Sequence, residues 1–108
     1  MSAKVRARAL EAGATHSDAD RLERLASNVW ICRGSTRSFV LWSVGYRIDV
    51  AEITSSAGLS GFEIPADPGK DDELDALATS LGAGNKTSGQ RRALALVQLL
   101  TGRGMIKP

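Results

Sequence analysis

Apolar residues alternate with small or polar ones through the middle of the chain. The alternating apolar positions are Val40, Trp42, Val44, Tyr46, Ile48 and Val50. A period of two is typical of a β-strand with one buried face. The apolar run 29–32 and the polar residues 33–38 come before it, which together predict two strands around a turn. A helix stays the alternative, because large apolar residues of this segment can also share one helical face. These residues are Phe39, Trp42, Tyr46, Val50 and Ile53.

Helical spacing appears on both sides of this segment. Residues 3–12 have helix-forming composition, and Gly13 suits the position just past a helix end. Ser17 is a candidate N-cap for a second helix, with apolar residues at helical spacing after it: Leu22, Leu25, Ala26 and Val29. Near the other end, one helix is predicted from Asp71 or Asp72 to Gly82 and another over about 90–101.

These elements predict an α+β fold in a single domain, residues 1–108. A small antiparallel sheet over about 29–53 would be packed with two N-terminal and two C-terminal helices. An all-α bundle is the alternative. All five aromatic residues fall between Asn28 and Ile64, so the core is expected there.

Composition excludes several classes of protein. Hydrophobic residues make up 43% and charged residues 24% of the chain, which are ordinary values for a globular domain. No apolar run is long enough for a membrane span, and residues 1–13 do not resemble a signal peptide. The single cysteine forms no internal disulfide. We therefore expect a cytoplasmic protein that does not contact membranes.

Catalytic and metal-binding patterns are weak. The chain has one histidine, His16, and one cysteine, Cys32, which are far apart in sequence. Cys32 lies in an apolar run, where a small buried side chain is the usual role. No His, Cys or Asp spacing fits a metal site. The sequence predicts a protein that is not an enzyme and has no cofactor.

The net charge of +2 conceals a strong segregation of charge along the chain. Residues 1–47 hold eight basic and four acidic side chains, residues 48–76 hold one and eight, and residues 77–108 hold five and none. Such asymmetry bears on binding partners more than on fold.

Two basic clusters are candidates for nucleic-acid contacts. Arg33 and Arg37 flank the predicted turn, and Lys86, Arg91 and Arg92 lie at the predicted start of the last helix. A helix N-terminus attracts anions, and arginine and lysine are the usual phosphate ligands. The alternative interpretation is that these are ordinary solvated positions or partners of the acidic segment.

The acidic residues suggest a second hypothesis. They precede or begin the third predicted helix, at Asp71, Asp72, Glu73 and Asp75. Contacts between this acidic pole and the basic residues of another copy would assemble the chain head to tail. The residues would then form a protein interface.

Residues 48–64 resemble part of a helix-turn-helix DNA-binding module. Ile53, Ala57, Gly58, Leu59 and Ile64 match buried or turn positions of that family, and the resemblance implies DNA binding. Pro65 falls inside the second helix of the module and removes one of its N–H groups. A strand or short helix ending in a glycine turn is the competing interpretation.

The combined prediction is a small non-enzymatic accessory or regulatory protein, of bacterial or phage type, that contacts nucleic-acid phosphates through basic loops. The alternative is a self-assembling structural or adaptor protein that uses its acidic and basic poles.

Overall fold

The computed structural model describes residues 2–53, 63–65, 73–81, 84 and 86–105. The chain forms two compact units, Met1–Ile53 and Thr54–Pro108. The first contains two helices and four strands: α1 (Ser2–Ala12), α2 (His16–Ala19), β1 (Glu23–Ala26), β2 (Val29–Cys32), β3 (Phe39–Val44) and β4 (Arg47–Glu52). Within its described residues, the second contains α3 (Glu73–Ser80) and α4 (Ser88–Gly102). The predicted α+β class, with two N-terminal and two C-terminal helices, is confirmed.

The four strands form one antiparallel sheet in the order β1-β2-β3-β4. Val29 pairs with Trp42, and Leu41 pairs with Val50, so β2 and β3 are the central strands. The preference for strand over helix in this segment is therefore confirmed. The alternation from Val40 to Val50 spans two strands instead of one, because the chain reverses at Gly45 and Tyr46.

The reversal depends on Gly45, whose φ angle is +61°. Tyr46 follows with a negative φ angle, since no residue other than glycine has a positive one in the described part of the chain. Positive φ at the first central position alone is the pattern of a type II′ turn, which suits the twist of paired strands. Tyr46 was expected in the core, and this expectation is wrong: the residue is 93% exposed, because a turn position faces no neighbouring strand.

The helix expected over residues 17–29 is also largely wrong. Only His16–Ala19 is helical, with Thr15 rather than Ser17 as its N-cap, and Glu23–Ala26 is the edge strand β1. Strand pairing with β2 and a tight turn at residues 27 and 28 override the helical spacing. The buried Asn28 side chain fixes this turn, because its amide donates to the Ser43 carbonyl oxygen over 3.2 Å.

The core of the first unit lies between α1, α2 and one face of the sheet. Its buried residues are Val5, Ala9, Ala19, Trp30, Cys32, Phe39, Leu41 and Ile48. Helix α1 ends as predicted at Gly13, with φ +119°; Gly13 N–H donates to Leu10 O and Ala14 N–H to Ala9 O. This pair of bonds is the Schellman motif, and it turns the chain back toward the sheet. The alternate residues of β2 and β3, including Val40 and Trp42, are buried as well.

In the second unit, α3 and α4 contact each other. The buried apolar residues of these helices include Leu74, Ala78, Leu96 and Leu100. Helix α4 begins with a capping box, in which Thr87 Oγ1 accepts from Gln90 N–H and the Gln90 side chain accepts from Thr87 N–H. This box places the helix start two residues before the expected position.

Candidate nucleic-acid interface

The loop between the central strands β2 and β3, residues 33–38, carries the first predicted basic cluster. Arg33 Nη2 lies 4.0 Å from Glu23 Oε2 on β1, and Arg37 Nη2 lies 2.8 Å from Glu52 Oε1 on β4. These strands are the opposite edges of the sheet, about 14 Å apart at three strand spacings. The two guanidinium groups therefore diverge and do not form one positive tip.

The Arg37 side chain lies beside Gly13 and is held by an ion pair and a contact with an aromatic ring. Besides its ion pair with Glu52, its Cζ lies 5.1 Å from the centre of the Phe39 ring. The hydrogen bond from Arg37 holds the pKa of the Glu52 carboxyl below its usual range, and the same bond raises the pKa of Arg37. Both side chains are partly exposed, so solvent screens the pair and a phosphate could replace the carboxylate at modest cost.

The second predicted basic cluster divides into exposed and buried members. Lys86 is exposed and Arg91 is partly buried. Arg92 is only 1% exposed; its Nη1 donates to the carbonyl oxygens of Ile64 and Pro65 over 3.1 and 2.7 Å, and its Nε lies 2.8 Å from Asp75 Oδ1. The prediction that Arg92 holds phosphate is wrong for this structure, because the side chain is buried and binds its own chain.

The ion pair between Arg92 and Asp75 engages one of the residues predicted to form an acidic interface. Asp75 pairs with Arg92 inside the second unit, whereas Glu73 in the first turn of α3 is exposed. Asp71 and Asp72 lie outside the described residues. Of the described acidic residues in this cluster, Glu73 is the one that remains exposed for another copy of the chain, and assembly through it stays a prediction.

The helix-turn-helix resemblance lies mostly outside the described residues. Its first positions, 48–52, belong to strand β4, and residues 54–62 are not described. Ile64 is buried, its N–H donates to Gly89 O over 3.0 Å, and Pro65 beside it is exposed. The resemblance itself stays a prediction.

Ion pairing in the first unit leaves little unbalanced charge. Residues 2–53 contain eight basic and six acidic side chains. Each carboxylate in this range lies within 2.6 to 4.0 Å of one arginine. The pairs are Arg6–Asp20, Arg8–Glu11, Arg21–Asp18, Arg33–Glu23, Arg37–Glu52 and Arg47–Asp49. The two remaining cations, Lys4 and Arg24, donate to backbone carbonyl oxygens, which do not neutralise their charge.

The turn between β3 and β4 carries side chains that are not among the nucleic-acid contacts predicted from the sequence. Lys4 Nζ donates to the carbonyl oxygen of Tyr46 over 2.8 Å, and Arg8 Nε donates to that of Ile48 over 3.0 Å. Lys4 and Arg8 are one helical turn apart on α1, so the helix contacts the backbone of the turn and of strand β4 just after it. The Tyr46 ring projects from this fixed backbone, and it is the most exposed large apolar side chain among the described residues.

A shallow groove lies beside the Tyr46 ring. Its volume is about 210 Å³, and it is lined by Lys4, Ala7, Arg8, Glu11, Tyr46 and Ile48. Arg47 follows Tyr46 and pairs with Asp49 over 2.9 Å. We call the side chains of Lys4, Arg8, Tyr46 and Arg47 the Tyr46 surface. A Gly-X pair between alternating apolar residues indicates a two-residue hairpin, and this signal at Gly45 could have revealed the exposed ring.

The structure offers no cluster of three or more His, Cys, Asp or Glu side chains suited to a metal ion among its described residues. Cys32 is buried, and this burial raises the pKa of its thiol. The negative charge of Asp18 raises the same pKa by a smaller amount. A thiol in this state is a poor nucleophile. His16 Nδ1 lies 3.3 Å from Arg6 Nη2 at an exposed position.

Comparisons of this chain with protein-family models, curated proteins and solved structures give no match. Among the described residues, no helix has both the length and the apolar character needed to cross a membrane.

Proposed function

We propose that this chain is a small non-enzymatic nucleic-acid-binding accessory protein, and that the Tyr46 surface makes the contact. The observation that carries the proposal is a 93% exposed aromatic ring whose own backbone carbonyl is held by a lysine. A nucleic acid presents flat bases and negative phosphates. A ring next to cations complements both features.

The Tyr46 ring keeps in water an apolar area that a partner can bury. A side chain of this size forgoes about 2 kcal/mol when it stays in water instead of a core. The turn backbone is already anchored to α1 by Lys4 and Arg8, so a partner orders few additional groups when it binds. Fixed backbone and exposed ring together favour a binding role for this turn.

The charge distribution supports the same surface. Lys4 bonds to a carbonyl oxygen instead of a carboxylate among the described residues, and Arg8 lines the same groove. Arg47 adds a paired cation next to Tyr46 in the chain, on the sheet face opposite Ile48. Arg33, Arg37 and Lys86 are exposed and would add weaker phosphate contacts elsewhere. Their ion pairs, where present, are surface pairs of low strength.

A matched pair of charge reversals tests the proposal. Arg47 and Arg21 have side chains 69% and 70% exposed, and each pairs with one nearby aspartate, over 2.9 and 2.7 Å. Fluorescence anisotropy with a labelled oligonucleotide at about 50 mM salt should show that Arg47→Glu weakens binding by about tenfold or more, whereas Arg21→Glu changes it by about twofold or less. Circular dichroism checks that both variants fold.

Two outcomes would contradict the proposal. Equal losses in both variants would show that net charge alone matters and that the Tyr46 surface is not the contact. An absence of binding to single-stranded and duplex oligonucleotides at low salt would reject nucleic-acid binding altogether.

A further inference from the structure

The Tyr46 side chain is 93% exposed, and its chemistry restricts what it can bind. The bases of a duplex stack on their neighbours, so their faces are covered and only their edges are accessible in the grooves. A single strand exposes base faces, and proteins bind these faces by stacking aromatic side chains on them. An isolated ring on a turn of two residues, Gly45 and Tyr46, suits one unstacked base.

The small number of cations near the ring points the same way. Three cations belong to the Tyr46 surface, and two of them, Arg8 and Arg47, are paired with Glu11 and Asp49. Duplex binding that depends on phosphates requires many such contacts, and its affinity falls steeply with salt. With so few cations, stacking on Tyr46 must supply a large share of the affinity.

The groove beside the ring supplies a place for the neighbouring part of a strand. Lys4 and Arg8 line it, and the ammonium group of Lys4 has two N–H donors beyond the one directed at the Tyr46 carbonyl oxygen. A phosphate entering the groove would therefore meet donors without displacing the contact that anchors the turn.

We infer that the Tyr46 surface binds single-stranded nucleic acid, with one unstacked base on the Tyr46 ring and a neighbouring phosphate at Lys4 in the groove. This inference rests on the proposed function and specifies its substrate class. Duplex DNA would bind only weakly and through its phosphates.

The test uses the full chain and two labelled probes, an oligodeoxythymidine of about a dozen nucleotides and a mixed-sequence duplex of similar length. Affinities are measured by anisotropy at about 50 and 200 mM salt. We expect the single strand to bind at least about tenfold more tightly than the duplex at low salt. Tyr46→Ala should weaken single-strand binding by about tenfold and leave its salt dependence unchanged, because the change removes stacking and no charge.

Tyr46→Phe is the matched control, since it keeps the ring and removes only the hydroxyl group. Its single-strand affinity should stay within about twofold of the parent chain. Fluorescence of the buried Trp30 and Trp42 reports whether each variant is folded.

The outcomes separate this inference from the proposed function. Equal binding of both probes, or binding of the single strand that Tyr46→Ala leaves unchanged, would overturn the inference while nucleic-acid binding itself stands. Binding of neither probe would overturn both.

Discussion

The connections at the two ends of strand β3 differ in how their basic side chains are paired. At the Phe39 end, the loop of residues 33–38, called the longer loop, places Arg33 and Arg37 against carboxylates on the two edge strands. At the Val44 end, the two-residue turn exposes Tyr46 and receives Lys4 on a backbone carbonyl oxygen. Each end has two arginines that pair with carboxylates, Arg33 and Arg37 at the first and Arg8 and Arg47 at the second. The second end adds an exposed aromatic ring and Lys4, which within the described part of the chain bonds to a carbonyl oxygen instead of a carboxylate.

Strand order explains the difference. The longer loop joins two central strands, so an edge strand with a carboxylate lies on either side of it. The turn joins a central strand to the edge strand β4, and its backbone is contacted by Lys4 of helix α1. A count of charges along the chain therefore overestimates the longer loop as a phosphate site and overlooks the turn.

The largest loss of stability is expected from Gly34→Ala, in the longer loop. A Cβ atom at Gly34 would collide with the backbone carbonyl oxygen of Arg37, and backbone cannot move aside as a side chain can. We expect the free energy of unfolding to fall by about 3 kcal/mol, the upper end of the range for overpacking. Denaturant unfolding followed by tryptophan fluorescence measures it; a loss below about 0.5 kcal/mol would show that this loop is not rigid.

A smaller effect is expected from Gly45→Ala, the same substitution at the turn end. The added Cβ would meet no atom within 4 Å, so the cost comes only from the φ angle of +61°. This strain is about 1 to 2 kcal/mol for a residue with a side chain. Gly45→Asn is the control, because asparagine tolerates positive φ and should be less destabilising in the same unfolding experiment. If alanine and asparagine cost the same, strain at φ is not the cause.

The smallest expected effect is the pH dependence of stability that comes from the hydrogen bond between Arg37 and Glu52. The hydrogen bond from Arg37 lowers the pKa of Glu52 in the folded chain, so the folded state releases this proton more readily than the unfolded state. The bond therefore adds stability above the usual glutamate pKa, and this contribution disappears as pH falls through the lowered value. In Arg37→Gln, an NMR titration should show the Glu52 pKa moving up toward its ordinary value. An unchanged pKa would mean that Arg37 does not form this bond in solution.

The sequence predicted the architecture better than the site. Alternation over residues 40–50 correctly indicated strands, because a period of two matches extended backbone. The alternating residues divide between the two faces of the sheet, however, since Val40 pairs with Ala51 and Val50 pairs with Leu41. The helical spacing of Leu22, Leu25 and Val29 was misleading, since pairing with β2 outweighs the local preference for helix in so short a segment.

The site depends on contacts between residues distant in sequence. Arginine is a common phosphate ligand, but Arg92 contacts Asp75 and the carbonyl oxygens of Ile64 and Pro65. These groups are distant in sequence and come together only when the second unit folds. A prediction of the Tyr46 turn from the sequence would require the hairpin signal at Gly45 and the contact with Lys4, which is 42 residues away. No local pattern supplies that last contact.

NMR mapping of the binding surface tests whether the Tyr46 turn contacts nucleic acid. Backbone amide shifts of the labelled chain would be followed during titration with a single-stranded oligonucleotide. We predict that the largest changes fall on Val44–Ile48 and on α1 around Lys4 and Arg8. Changes centred on residues 33–38, with the Tyr46 turn unaffected, would show that the Tyr46 surface is not the binding site.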